Sequence, residues 1–192
     1  MHNKEFTEPV CTIEASDKSF DYWKNREDTT PELREGIAAA NMLIVPSESY
    51  RDFREPTFPT GTEELLEYLR ENSPPELTPE IYATDTTYQE LALHADILRI
   101  ATLVVEFGIV PLAIGLLSNY LYSRLGSRRD NTTVIFDMHI TGHRQTAKVH
   151  YEGPAPAFEA SIKKALETLQ ANPDAALQQS KPIVKSNDPH GH

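Results

Sequence analysis

Three side chains of metal-ligating and acid–base type fall on alternate positions of two neighbouring segments: Asp137 and His139 in one, His150 in the other. A carboxylate with two imidazoles suits a borderline metal such as zinc, and it suits proton transfer, because neutral imidazole ligates metals and titrates near neutral pH. If Thr133–Ile140 and Thr146–Tyr151 are strands of a hairpin, period-two alternation puts all three side chains on one face. Lys148 shares that face and would repel a cation, so a solvated strand surface is the plainer reading. A second group, Ser47, Glu48, Tyr50, Arg51 and Arg54, follows the apolar run Met42–Val45, and ligands of open α/β sheets collect beyond the carboxyl ends of strands. Its plainer reading is an ordinary polar connection. Arg124, Arg128 and Arg129 are the one basic cluster; they suit a helix C-terminus, or a contact with phosphate or anionic lipid. Cys11 has no histidine nearby in sequence, Ser47 and Ser49 lack a nucleophile elbow, and no glycine-rich phosphate loop is present. No convergent catalytic set stands out, and no cofactor is expected.

These groups depend on the elements that carry them. Scattered aromatics among charges over residues 1–29 read as an arm, and Thr30-Pro31-Glu32 reads as a helix start with a hydroxyl cap and proline in the first turn. Met42–Val45 is expected as a strand buried on both faces. Thr60-Gly61-Thr62-Glu63 offers a capping box for a helix with Leu65, Leu66 and Leu69 on its apolar stripe, and a strand near Glu80–Thr84 closes a strand-helix-strand unit. Thr87–Glu90 repeats the capping pattern and is expected to open a long helix toward Leu125, broken at Pro111. The hairpin follows with Gly142-His143 as a two-residue turn, which faces Phe136 with Val149, Met138 with Ala147 and Asp137 with Lys148. A last helix over Pro156–Gln170 aligns Phe158, Ile162, Ala165, Leu166 and Leu169. The expected fold is a mixed α/β domain with about four strands over residues 37–171, after an acidic arm over 1–36 and before a polar, disordered tail over 172–192.

The run IATLVVEFGIVPLAIGLLS, Ile100–Ser118, carries one charge, Glu106, and with the tyrosines and arginines that follow it is long enough to span a bilayer. An all-round apolar helix also describes the buried centre of an α/β layer. The flanking elements have apolar faces of their own to bury, which favours Ile100–Leu121 as a core helix or a self-association surface, with membrane association as the alternative.

The chain has 192 residues and a formal net charge of −11, and its acidity is one-sided. Residues 1–90 hold 20 acidic and 8 basic side chains, whereas residues 91–192 hold 9 and 10. That balance excludes a general nucleic-acid binder, whose affinity would rest on Lys and Arg contacts to phosphate. One cysteine excludes an intramolecular disulfide framework, and no apolar run follows a basic start, so a reduced cytoplasmic setting is the default.

The element order over residues 42–170, with the long apolar helix ending in Asn119-Tyr120-Leu121-Tyr122-Ser123-Arg124, resembles the small α/β components that accompany effectors in bacterial conflict systems. The acidic arm and the proline-broken helix depart from that pattern. The resemblance implies a non-catalytic partner or sensor beside a separate effector. The reading is therefore an interaction or regulatory module with a protein partner or self-association; a membrane-associated protein and a metal-dependent enzyme on the hairpin face are the alternatives.

Overall fold

The fold was taken from a computed structural model that describes residues 8–47, 57–84, 87–91 and 97–172, without the side chain of Arg129. Strand β1 (Val10–Ser16) leads to a short helix α1 (Phe20–Lys24) and then α2 (Pro31–Ala39). Both helices start as their residues dictate. Ser19 accepts from the amide of Tyr22, and Thr30 accepts from that of Leu33, with Pro31 in the first turn, where its missing N–H is no loss. Then follow β2 (Met42–Val45), β3 (Phe58–Pro59), α3 (Thr62–Asn72), β4 (Pro79–Ile81), β5 (Glu90–Leu91), β6 (Ile97–Arg99) and β7 (Thr102–Glu106). Helix α4 (Val110–Leu125), strands β8 (Thr133–Thr141) and β9 (Thr146–Pro154), and helix α5 (Phe158–Ala171) complete the described chain.

The main sheet runs β1-β9-β8-β7-β2-β4, with β6 beside β8, while β3 and β5 pair separately. It is mixed: β2 is parallel to β4 and antiparallel to β7, β7 is parallel to β8, and β8-β9-β1 is an antiparallel meander in space. The mixed α/β class matches the sequence expectation, but the sheet is larger than four strands. Residues 10–16, within the expected arm, add one strand: they pair with β9 from Val10↔Glu152 to Ser16↔Thr146 and form the edge of the sheet, while β6 and β7, within the run expected as helix, add two more. Cys11 and Ile13 on alternate positions bury the inner side of that edge.

One face of the sheet is closed by α3, α4 and α5. Phe136, Met138 and Ile140 of β8 and Ala147, Val149 and Tyr151 of β9 pack there with Ile114, Leu117, Phe158 and Ile162. The opposite face is closed only in part. Trp23 of α1 and Ile37 of α2 cover Leu43, Val45 and Val104, and Tyr82 joins them. Among the described residues, no helix packs on the other half of that face, over β1, β9 and β8.

The largest correction concerns the apolar run. Strands β6 and β7 occupy residues 97–99 and 102–106 in place of helix, and α4 begins at Val110 with Pro111 in its first turn. Leu103, Val104 and Val105 are all fully buried because β7 lies between β2 and β8 with helices over both faces, so the strand has no polar side to show. That is why it reads as continuous apolarity. Proline is not a kink inside a long helix but the start of a shorter one. Among the described residues no helix is long and apolar enough to cross a membrane. Glu106 is exposed at the end of β7.

The hairpin is real, but its register differs by two residues from the expected one. Phe136 faces Tyr151, Met138 faces Val149 and Asp137 faces His150, and Thr141↔Thr146 leaves a four-residue connection, Gly142–Gln145, rather than a two-residue turn. A shift of two preserves faces, so the alternation was sound although the partners were not. Neither capping box forms as written. Gly61, at φ +88, precedes α3 without a side-chain cap, and residues 87–91 are an extended connection rather than a helix start. The α3 amides are satisfied from a distance: the Glu90 carboxylate accepts from Gly61 N at 3.0 Å and from Glu63 N at 3.1 Å. Burial works against the charged Glu90, yet the Tyr88 hydroxyl and these amides outweigh it and hold its pKa below the usual range. Glycine suits position 61 because its φ is left-handed, a conformation that strains a residue with a Cβ.

Candidate functional site

The open half of the second face forms a groove of about 630 Å³ between β1, the ends of β2 and β7, and α1. Its floor follows from alternation. Glu14 and Ser16 of β1, Lys148 of β9, and Asp137 and His139 of β8 all point away from the helices that close the first face.

Arg99 reaches this floor through a local irregularity. Strand β6 pairs Arg99 with Ile135, whereas β7 pairs Leu103 with Met138, so four steps on one strand span three on the other. The extra residue is a bulge at Ile100-Ala101. Both of these residues are buried, and the phase slips so that Arg99 and Thr102, three apart in sequence, both line the groove. A regular strand would have sent them to opposite faces.

Asp137 is the electrostatic centre. His150 Nδ1 lies 2.8 Å from its carboxylate, Lys148 Nζ 3.5 Å and an Arg99 nitrogen 4.0 Å. Burial opposes the charge on Asp137, but the His150 hydrogen bond and the Lys148 charge prevail, and its pKa is lowered. An ionised carboxylate only accepts, so His150 Nδ1 carries the proton in that bond. Lys148 is shared, reaching Glu14 at 3.5 Å. Beside this network, Ser16 Oγ is 2.7 Å from His139 Nδ1 and accepts from the Lys18 amide at 3.1 Å. His139 is only 8% exposed.

The wall toward α1 is aromatic. Trp23, 1% exposed, lines the groove and lies edge-on to Tyr22 and Tyr82. The Arg26 guanidinium sits 5.2 Å from the Trp23 ring centre and donates twice to Asp28, at 2.9 and 3.1 Å, holding the Asp28 pKa down. Tyr82 also donates to Asp28, and Thr29 donates to the Trp23 carbonyl at 2.8 Å. The indole N–H of Trp23 is buried with no hydrogen-bond partner among the described residues. An orphaned donor of this kind costs on the order of 1–3 kcal/mol.

The sequence-derived candidates distribute as follows. Ser47, from the loop after β2, does line the groove with Asp137 and His139, so two groups 90 residues apart in sequence meet. Glu48, Tyr50, Arg51 and Arg54 lie outside the described residues. Asp137, His139 and His150 divide into two couples, Asp137 with His150 and His139 with Ser16. Among the described residues no three His, Cys, Asp or Glu side chains are placed to hold a metal ion. Arg124 is not an open anion contact: it pairs with Glu64 and donates to the Tyr120 hydroxyl at 2.6 Å. The exposed Arg128 uses its carbonyl to accept from Thr132, and the Arg129 side chain is not described. Cys11 is fully buried, and desolvation pushes its thiol up to about 12, which removes it as a nucleophile near neutral pH.

Sequence reasoning missed Glu14, Ser16, Trp23, Arg99 and Thr102. Glu14 and Ser16 alternate with Cys11 and Ile13, a strand signal hidden by the charges around it. Nothing local announced the bulge that places Arg99. Compared with known protein families, curated proteins and solved structures, the chain shows no match in any of them.

Proposed function

We propose that the chain is a non-catalytic interaction or regulatory module, of the kind that works beside a separate effector, and that the groove over the open half-sheet is its recognition surface. The observation that carries this reading is the pairing of the groove's charges with one another. Asp137 is held ionised by His150 and Lys148, and Lys148 is tied in turn to Glu14. General acid–base work favours a group whose pKa is moved toward neutrality, whereas the Asp137 pKa moves away from it. The Asp137 hydrogen bond goes to His150 and the Ser16 bond goes to His139, so the hydroxyl and the carboxylate serve different imidazoles. A fixed pattern of both signs is suited to selecting a partner. The sheet beneath it is closed by packed helices on its far side, which leaves this face as the one open to a partner.

The reading is tested by a photo-crosslinking residue at Asp17 on the groove rim and, as control, at Glu167 on the solvent side of α5. Expected are discrete adducts from Asp17 in the native cell, none from Glu167, and loss of the Asp17 adducts in a Lys148→Glu background. Equal adducts from both positions would overturn the assignment of the groove. Turnover of any substrate by the purified protein that disappears in His139→Gln would overturn the non-catalytic reading.

A further inference from the structure

The two edges of the main sheet are built differently. Strand β4, last on one side, has three residues, begins with Pro79, which lacks an N–H, and carries Glu80 paired with Arg70 of α3. Shortness, proline and charge are what keep an edge from pairing further. Strand β1, last on the other side, has seven residues and no such protection. Its pairing with β9 runs without a bulge from Val10 to Ser16, it contains no proline or lysine, and its one charge, Glu14, is tied back to Lys148. Among the described residues β9 is the only strand paired with it, so the amides and carbonyls of alternate residues point outward. Helix α5 covers its inner side over Cys11 and Ile13, yet Ala15 on that same side is exposed, and Val10 on the other is 38% exposed.

We infer that a second copy of this chain adds to β1 as an antiparallel strand, about a two-fold axis at Ile13, so that one sheet runs through both copies. An edge that pairs with itself must be self-complementary, and β1 is so in one register. With the axis at Ile13 all seven residues pair: Val10 faces Ser16 of the second copy, Cys11 faces Ala15, and Thr12 faces Glu14. Inner positions then meet inner positions, and the exposed Ala15 is covered. The Glu14 carboxylate meets a hydroxyl, which can donate to it. An axis at Glu14 would set like charges directly opposite, and an axis at Thr12 would leave Ala15 and Ser16 unpaired. Net charge works the same way. Two copies at −11 repel each other, and Val10–Ser16 is a stretch of the acidic half with a single charge, so the contact itself adds little to that repulsion. Pairing there joins the open half-sheets of the two copies into one continuous face. It concerns the edge of the sheet and goes beyond the assignment of the groove.

The full chain is followed by sedimentation equilibrium from roughly 1 to 300 μM, with amide hydrogen exchange measured at both ends of that range. Expected is a dimer with a Kd below about 100 μM, together with slower exchange at alternate amides of β1 at the high concentration and unchanged exchange in β4. Thr12→Glu sets a second carboxylate opposite Glu14, twice in each dimer, and should weaken association by roughly tenfold or more. Adding Glu14→Lys to that variant makes the opposed charges unlike, and association should return to within about threefold of the native chain. Exchange in the native chain needs neither variant, so the outcome stands even where one of them fails to fold. A monomer throughout the range, a dimer that leaves β1 exchange unchanged, or a dimer indifferent to Thr12→Glu overturns the inference. Monomeric behaviour alongside Asp17 adducts with another protein removes the pairing at β1 and leaves the groove as the recognition surface. A dimer paired at β1 with no Asp17 adducts does the reverse.

Discussion

Strand β8 shows two environments on one backbone. Val134, Phe136, Met138 and Ile140 enter a layer closed by three helices, whereas Asp137 and His139, on the alternate positions, face a groove that α1 and α2 leave open. On the closed side the stabilising quantity is apolar area and packing, which tolerates little loss of volume. On the open side it is a set of ion pairs and hydrogen bonds in partial contact with water, each worth far less. The same strand thus supplies stability through one set of residues and recognition through the other, and substitution can separate them.

The largest effect is expected on the closed side. Phe136→Ala removes a fully buried ring that meets Phe158 edge-on at 5.5 Å, and it should lower unfolding stability by about 3–5 kcal/mol in urea denaturation. Its neighbour on the open side, Asp137→Asn, should lower it by about 1–2 kcal/mol, since the amide keeps some hydrogen bonding while Lys148 and Arg99 lose their counter-charge. Equal losses at the two positions would dissolve the contrast between the faces.

The pH dependence sharpens the contrast further. The folded pKa of Asp137 lies below its unfolded value of about 3.9, so the folded protein holds fewer protons between the two values. Its contribution is fully present above the unfolded value and is lost as pH falls through the folded one. Acid titration of stability should show that loss in the native chain, and a smaller one in Asp137→Asn. Phe136→Ala should shift the whole curve without changing its shape.

A smaller effect is expected where the closed face borrows a polar group. Glu90→Gln weakens the cap on the Gly61 and Glu63 amides, should lower stability by about 1 kcal/mol, and should speed hydrogen exchange at those two amides. Unchanged exchange there would assign the α3 start to backbone geometry alone. The smallest effect belongs to Tyr122, 65% exposed on α4, where Tyr122→Ala should stay within about 0.5 kcal/mol in the same denaturation. A loss above about 1 kcal/mol there would mean that α4 is covered in solution.

How much of this was legible depended on how local each signal is. Thr30-Pro31 carries its own cap and its own φ, and it forms as read. Met42–Val45 and the alternation in β8 and β9 are short-range patterns, and they too hold. The run around Leu103 failed as a helix because a strand buried on both faces and a buried helix share one composition, and only the flanking strands decide between them. The hairpin register slipped by two because alternation fixes the face of a residue and not its partner. Glu90 read as part of a helix start, yet it caps a helix 27 residues earlier in the chain, through a contact that no local window contains.

The sequence by itself determined which residues are apolar on one side of a strand, where α2 starts, and that Asp137, His139 and Lys148 share a face, because periodicity and capping act over a few residues. Tertiary structure alone decided that β1 joins the sheet, that a bulge at Ile100-Ala101 turns Arg99 toward Asp137, and that Trp23 and Ser47 wall the same groove. Each of these joins segments far apart in the chain. They are selected by the burial of a whole sheet face, a quantity that exists only once all the strands are in place.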